Sequence, residues 1–352
     1  MSQFNYNYNK NLNNETFGEA EFSASHWVYS APPSLEEMAK FKEKQELKKI
    51  ANMSGTSLAL VFVISILLGV SVGILTVFGF NLFGDAAISQ AVQAAFSIFS
   101  FTLPFVICFK IGGARISELM SFKKTEKGLG MPLYFMGLAG CSFANFGTAY
   151  IDNFFNSIGI DYSPGEINFP DGIFGFLLTT IAIAVVPALV EEFAMRGVVM
   201  GALRKFGDTF ALITSSICFG VMHGNFEQMP FAFTVGLFLG FTVIKTGSMR
   251  VAILLHFTNN FVSVLFSYFP KSVPAEIQNL IYVFYLLVTI VTGIFFLVKS
   301  ELKLFSFQKS EGVLSEKEKY KTFFLSGGVI VFLIINIIQA VSYIFTNLFG
   351  IT

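Results

Sequence analysis

Charge is scarce in this chain. Lys, Arg, Asp and Glu make up 13% of its 352 residues, about half the share of an ordinary soluble domain. The basic and acidic residues number 23 each, so the formal net charge is zero and nothing points to a nucleic-acid partner. Cysteine is nearly missing as well. Cys108, Cys141 and Cys218 fall in apolar stretches at unrelated spacings. That leaves no disulfide framework and no cysteine metal motif, and reads them as packing residues. A cleavable leader is not expected either, since about fifty mostly polar residues precede the first apolar run, which would serve as an uncleaved signal anchor.

What the chain has in abundance is apolar length. Its composition is 54% hydrophobic, and stretches near the roughly 20 residues that cross a bilayer recur along it. They run at about Ser57–Phe80, Ile88–Phe109, Met131–Ile151, Ile173–Lys205, Thr209–His223, Phe231–Ile244, Val251–Tyr268, Ile277–Val298 and Phe323–Phe349. The expectation is an all-α, polytopic integral membrane protein of about 8–9 helices. Pro230 and the polar His223–Gln228 stretch separate the fifth and sixth runs, which favours nine over an eight-span merger. Basic residues cluster before the first run (Lys40 to Lys49), between the second and third (Lys110 to Lys127), at Arg204 and Lys205, at Lys245 and Arg250, and from Lys299 to Lys321. Nine spans put all of these on one face, with Lys271 the exception, and so place the N-terminus in the cytoplasm of a plasma-membrane protein.

Four regions follow from this reading. Residues 1–52 form a cytoplasmic tail whose Ser2–Ser34 part lacks periodicity and is expected to be disordered, while Glu36–Lys49 suits a short interfacial helix. Residues 53–172 hold the first transmembrane helices, 173–268 a core, and 269–352 the last helices.

Polar chemistry concentrates in that core. Glu191, Glu192 and Arg196 lie inside an apolar segment. Each ionisable group costs about 2.5–3.5 kcal/mol to insert even on a lenient scale, so such groups pair, face water or act chemically. Glu192 and Arg196 are four residues apart and share a helical face, which assigns Arg196 to neutralise Glu192 and leaves Glu191 free. Phe219 and His223 share a face, as do His256 and Asn260, while Asn259 points elsewhere. A carboxylate, two imidazoles and a carboxamide can activate water against an amide and hold the resulting oxyanion. The same residues also suit an ion-pair lock between helices, or a transporter or proton-coupled channel, or an immunity or scaffold protein without catalysis.

In order, Glu191-Glu192-x-x-x-Arg196, Phe219-x-x-x-His223 and His256-x-x-x-Asn260 resemble the three motifs of the CPBP (Abi) family of intramembrane endopeptidases, which includes the type II CAAX prenyl endopeptidases. The likeness covers about Ile173–Val264. It implies Glu191 and His223 as the pair that activates water, and His256 with Asn260 as oxyanion stabilisers. Glu192, Arg196 and Phe219 would support them. Members are often labelled metalloproteases, and a divalent metal such as zinc would take Glu191, His223 and His256. A metal-free mechanism is the preferred expectation. The substrate implied is a peptide or membrane-anchored protein, cleaved near the membrane surface.

One conflict stands in the sequence. Glu191 lies fourteen residues from Lys205, and His256 six from Arg250. At the helical rise these are roughly 21 Å and 9 Å from the same face. The two side chains can sit at one depth only if the helices are tilted, unequal in length or protrude beyond the bilayer.

Overall fold

The computed structural model describes residues 34–349 except 81, 83, 126–127, 160–168, 271 and 301–305. The expectation of disorder thus falls outside the described residues apart from Ser34, which caps the first helix. Among the described residues all regular structure is helical.

α1 spans Leu35–Val77. Ser34 and Glu37 form a reciprocal capping box, with Glu37 N–H donating to Ser34 Oγ at 3.1 Å and Ser34 N–H to Glu37 Oε2 at 2.7 Å. The Glu36–Lys49 stretch is the opening part of this 43-residue helix, not a separate one. No Gly or Pro occurs between Leu35 and Ser54 to stop it.

The helices that follow are α2 (Ala86–Ile111), α3 (Gly130–Ser157), α4 (Gly172–Phe206), α5 (Asp208–Val221), α6 (Gln228–Thr246), α7 (Met249–Ser267), α8 (Ala275–Lys299), α9 (Glu316–Phe324) and α10 (Gly327–Phe349). α1 packs between α2 and α10, α3 between α6 and α8, and α4 between α2 and α7, with α5 laid along α6. Small residues permit the closest approach. A Cβ on Gly55 would stand 2.2 Å from Val329 N, so α1 and α10 touch backbone to backbone.

Every apolar stretch read from the sequence is helical. α1, α2, α4, α6, α7 and α8 are long and apolar enough to cross a bilayer, and α9 with α10, bent by 65°, would make a seventh span. α5 has 14 residues, about 21 Å, which is short of a hydrocarbon core roughly 30 Å thick. The chain is therefore all-α and polytopic, with six or seven spans by length and composition among the described residues. α8 illustrates the lipid side: Ile277, Leu280, Phe284, Leu287, Val291 and Ile294 form an exposed apolar stripe, while Leu286, Thr289 and Gly293 turn inward. In water such a stripe would be an aggregation patch; in a bilayer it is the expected exterior.

The depth conflict resolves through α4. It runs 35 residues, and a Cβ on Gly197 would lie 3.4 Å from Met249 Cε. α7 therefore begins beside Gly197, not beside Lys205. Ser121 fixes that start, accepting from Met249 N–H at 2.8 Å and donating from Oγ to the Gly247 carbonyl at 2.6 Å. Running in opposite directions from this level, six residues along α4 and seven along α7 reach Glu191 and His256. The end of α4 projects beyond α7 and is covered by polar contacts: Lys205 pairs with Glu46 on α1, and Asp208 accepts from Arg204 Nε at 2.8 Å and from Gln308 N–H at 3.1 Å.

Candidate active site

α4 is not a uniform α-helix. It widens into π-helix at Thr180–Val185 and at Phe193–Met200, on either side of the α-helical Val186–Glu192. Such turns are rare and gather at functional sites, because the added residue rotates the side chains that follow. Pro187 has no N–H to offer the Ile183 carbonyl one turn back. Asn260 Nδ2 on α7 donates to that carbonyl instead, at 3.1 Å. In lipid an orphaned carbonyl needs such a partner, so Pro187 on one helix accounts for the carboxamide on the other.

Between these turns the two glutamates take different environments. Glu192 Oε1 accepts from Arg196 Nη1 at 2.9 Å and from His256 Nδ1 at 3.0 Å. A carboxylate only accepts, so the proton of that contact lies on Nδ1 and His256 Nε2 is turned outward. Nε2 stands 3.8 Å from Glu191 Oε2. The gap exceeds a direct hydrogen bond and suits one bridging water. The side chains of Glu192, Arg196 and His256 are 0%, 1% and 4% exposed, and that of Glu191 is 16% exposed. Glu192 Oε2 has no protein partner among the described residues. The expected division, with Arg196 on Glu192 and Glu191 outside that pair, is the arrangement seen.

Phe219 organises the remainder. Arg196 lies over its ring with the guanidinium carbon 4.2 Å from the centroid. Edge-to-face, the ring also meets the imidazoles of His223 and His256, at centroid distances of 5.1 and 6.0 Å. His223 Nδ1–H donates to the Phe219 carbonyl at 2.7 Å, leaving Nε2 as an acceptor. Glu191 and His256 lie within electrostatic range of His223. Six of the seven residues singled out in the sequence thus meet on α4, the end of α5 and α7, while the contacts of Asn260 are to the Ile183 carbonyl and to Asn259.

Two partners were not legible in the sequence. The Gly236 carbonyl on α6 accepts from Arg196 Nη2 at 3.3 Å, and any residue type could supply it. The Ile183 carbonyl is the second, for which Pro187 four residues on is a signal in hindsight. Asn259, read from the sequence as pointing elsewhere, donates from Nδ2 to Asn260 Oδ1 at 3.1 Å.

Glu191, His223 and His256 were also the residues a divalent metal would use. Among the described residues no three His, Cys, Asp or Glu side chains converge as a metal site requires. Both Nδ1 atoms are engaged, by Glu192 and by the Phe219 carbonyl, which leaves Nε2 as the open ring nitrogen of each imidazole. No step is derived through a metal.

Residues 173–262 match the family described as type II CAAX prenyl endopeptidase, Rce1-like. These residues are similar to that family, in agreement with the resemblance carried by the three motifs. The match spans about a quarter of the chain and contains every site residue named above. The matched region begins with α4 and ends within α7, leaving α1 to α3 and α8 to α10 outside it. No curated protein matches the chain, and no solved structure does. This match supports, in general terms, a membrane-embedded endopeptidase of the CAAX type.

Proposed function

We propose that Glu191 is the base of this endopeptidase and that it acts on a water held between its carboxylate and His256. The observation that carries the reading is the 3.8 Å separation of Glu191 Oε2 and His256 Nε2, beside a Glu192 carboxylate already committed to Arg196 and to the far side of the same imidazole. With His256 as imidazolium, two carboxylates face two cations and the cluster is neutral, the condition under which charges are tolerated in an apolar interior.

In the proposed reaction Glu191, assisted by His223, takes a proton from water as its oxygen attacks the peptide carbonyl carbon. The C=O π bond becomes an oxyanion, which receives hydrogen bonds from His256 Nε2–H and from the second Nδ2 hydrogen of Asn260. Collapse reforms C=O and breaks C–N, and the proton held by Glu191 passes to the departing amine. Glu192, Arg196 and Phe219 are positioning residues: they fix the imidazole and its charge without touching the substrate. Preorganised donors of this kind contribute about 2.7–4 kcal/mol each, and a general base 10²–10⁴-fold, each figure typical of other enzymes.

The substrate class we propose is a lipid-anchored protein tail or a membrane-bound peptide precursor, such as a prenylated CAAX protein or a bacteriocin-type peptide. The register supports cleavage near a surface, because His256 lies seven residues, roughly 10 Å, inside the start of α7. The basic residues around that end, Arg204, Lys205, Lys245 and Arg250, favour the cytoplasmic side of a plasma membrane, with the N-terminus cytoplasmic. The test is cleavage of a panel of prenylated and membrane-inserted peptides by the purified chain and by Glu191→Gln. Loss of cleavage in a folded variant is expected. Equal cleavage by both proteins would refute the assignment.

A further inference from the structure

A basic cavity lies between α1, α2 and the end of α4, well outside the catalytic cluster. It measures about 310 Å³ and is open on one side. Gly201, the lining residue nearest to Glu191 in sequence, is ten residues further along α4, roughly 15 Å. Lys49 and Lys205 line the cavity together with one acid, Glu46, while Met53, Phe109 and Leu119 make an apolar floor. Gly112 and Gly201 bring these walls together, since a Cβ on either would run into Met53 Sδ or the Leu119 carbonyl.

Its charge is not balanced from within. Glu46 pairs with Lys205, and among the described residues Lys49 forms no ion pair. The walls therefore carry one positive charge in excess. Lys48 and Lys110, each next in sequence to a lining residue, are exposed beside it, whereas Arg115 pairs with Glu118 at 3.0 Å. The C-terminal end of α2 would repel an anion, but its last carbonyls are occupied. Those of Cys108, Phe109 and Lys110 accept from the N–H groups of Gly112, Ala114 and Gly113 at 3.0, 2.9 and 3.0 Å. Depth is the second observation. Met53 and Phe109 stand where the apolar runs of α1 and α2 end, and Lys49 is four residues, roughly 6 Å, outside Met53. That is the headgroup layer, which extends roughly 5–7 Å beyond the hydrocarbon.

We infer that this cavity binds the phosphate and glycerol of an anionic phospholipid. One phosphodiester matches the single excess positive charge, with Lys49 and Lys205 as its partners, and basic recesses between helices at this level suit such headgroups. The volume equals that of about ten water molecules, room for the phosphoglycerol group but not for acyl chains. The chains would lie along the apolar exterior beside the opening, where Ile111 is 83% exposed. A soluble anion would use the lysines and leave the apolar floor uncovered. A zwitterionic headgroup would bring its own ammonium toward them. The bound lipid would join α1 and α2, which lie outside the matched region, to α4, and the site stands independently of the proposed proteolysis.

The experiment is native mass spectrometry of the full chain, titrated in detergent with dioleoylphosphatidylglycerol or dioleoylphosphatidylcholine, with the apparent Tm recorded for every variant. One phosphatidylglycerol retained per chain is expected, bound about tenfold more tightly than phosphatidylcholine, at the level two lysines contribute. Lys49→Gln breaks no ion pair and is expected to weaken phosphatidylglycerol about fivefold, the share of one lysine at an anionic surface. Ala114→Phe, at another lining position, fills the cavity without changing charge and is expected to remove the bound lipid. If its Tm shows that it does not fold, the exposed Lys49→Gln decides alone. Lys123→Gln with Lys124→Gln removes two charges that do not line the cavity and is expected to leave the affinity unchanged. Inorganic phosphate in tenfold excess is expected not to displace the lipid, and displacement would overturn the lipid assignment in favour of a soluble anion. Equal retention of the two lipids overturns the site. So does a loss in the Lys123 and Lys124 variant equal to that in Lys49→Gln, which would leave only diffuse attraction to a basic surface.

Discussion

Replacing Arg196 by Met should be among the most damaging single changes to this fold, and a second change should repair part of it. Arg196 is 2% exposed and Glu192 is fully buried. The guanidinium gives Glu192 Oε1 a 2.9 Å hydrogen bond, gives the Gly236 carbonyl a 3.3 Å one and stacks on Phe219. Met keeps the bulk of the stem and removes the charge. Two carboxylates then face one imidazole in an apolar interior. Breaking a buried pair from one side costs about 3–5 kcal/mol, most of it from the charge left behind. At roughly 2–4 °C per kcal/mol for a chain of this order of size, the apparent Tm should fall by about 10 °C. Arg196→Met with Glu192→Gln removes the orphaned charge, and Gln Oε1 still accepts from His256 Nδ1–H. The double variant should therefore melt above the single one. Cys141 and Cys218 are each 1% exposed, so a thiol-reactive fluorophore reports their exposure as the bundle opens. A single variant within about 0.5 kcal/mol of wild type, or a double variant no better than the single, would refute the reasoning.

Other outcomes follow from the same geometry. Asn260→Ala strips the Ile183 carbonyl of its donor and is predicted to cost about 1–3 kcal/mol in thermal stability, in addition to any loss of cleavage; unchanged melting would show that Pro187 leaves no such need. Gly55→Leu drives a side chain into the backbone at Val329 and is predicted to separate α1 from α10, read as a large drop in apparent Tm, while substitution of the open Gly69 should be harmless. At the polar surface, a hydrogen bond and ion pair from Lys40, with Ser315, holds the Glu318 carboxyl at about 2 against an ordinary 4.5. Its folded value is depressed, so its contribution is complete above pH 4.5 and is lost as pH falls from there toward 2. Protease sensitivity of the α1–α9 contact should rise across that window in wild type and be flat there in Glu318→Gln.

Apolar run length and the 3.6-residue period were enough to place each of these helices except α9, which lies in the charged stretch between the last two apolar runs, and to sort the polar residues onto common faces. Glu192 with Arg196 and His256 with Asn260 came from spacing alone, because an i, i+4 relation survives any packing. Their union across α4, α5 and α7 did not come from spacing; the family resemblance supplied it. The length of α1 was misjudged because a charged stretch at a membrane surface looks like a separate element, although nothing between Leu35 and Ser54 breaks the helix. The number of spans depends on whether short α5, α3 and the bent α9–α10 pair cross the bilayer, which residue type alone leaves open. The π turns of α4 depend on tertiary compensation: Pro187 weakens the helix, but only Asn260 on another helix makes the distortion tolerable. The depth conflict between Glu191 and His256 was real arithmetic with a false premise, that both helices end at one level. Ser121 and Gly197 set those levels, and neither carries a sequence signal that says so.

The convergence of α4 and α7 on one imidazole is the claim from which the rest is built. The chain has three histidines, His26, His223 and His256, so ¹⁵N-histidine NMR in lipid is assignable by removing His26 and His223 in turn. The account predicts a hydrogen-bonded Nδ1–H on His256 that shifts when Glu192 becomes Gln, with the His26 signals unmoved. A His256 spectrum indifferent to Glu192→Gln would contradict it.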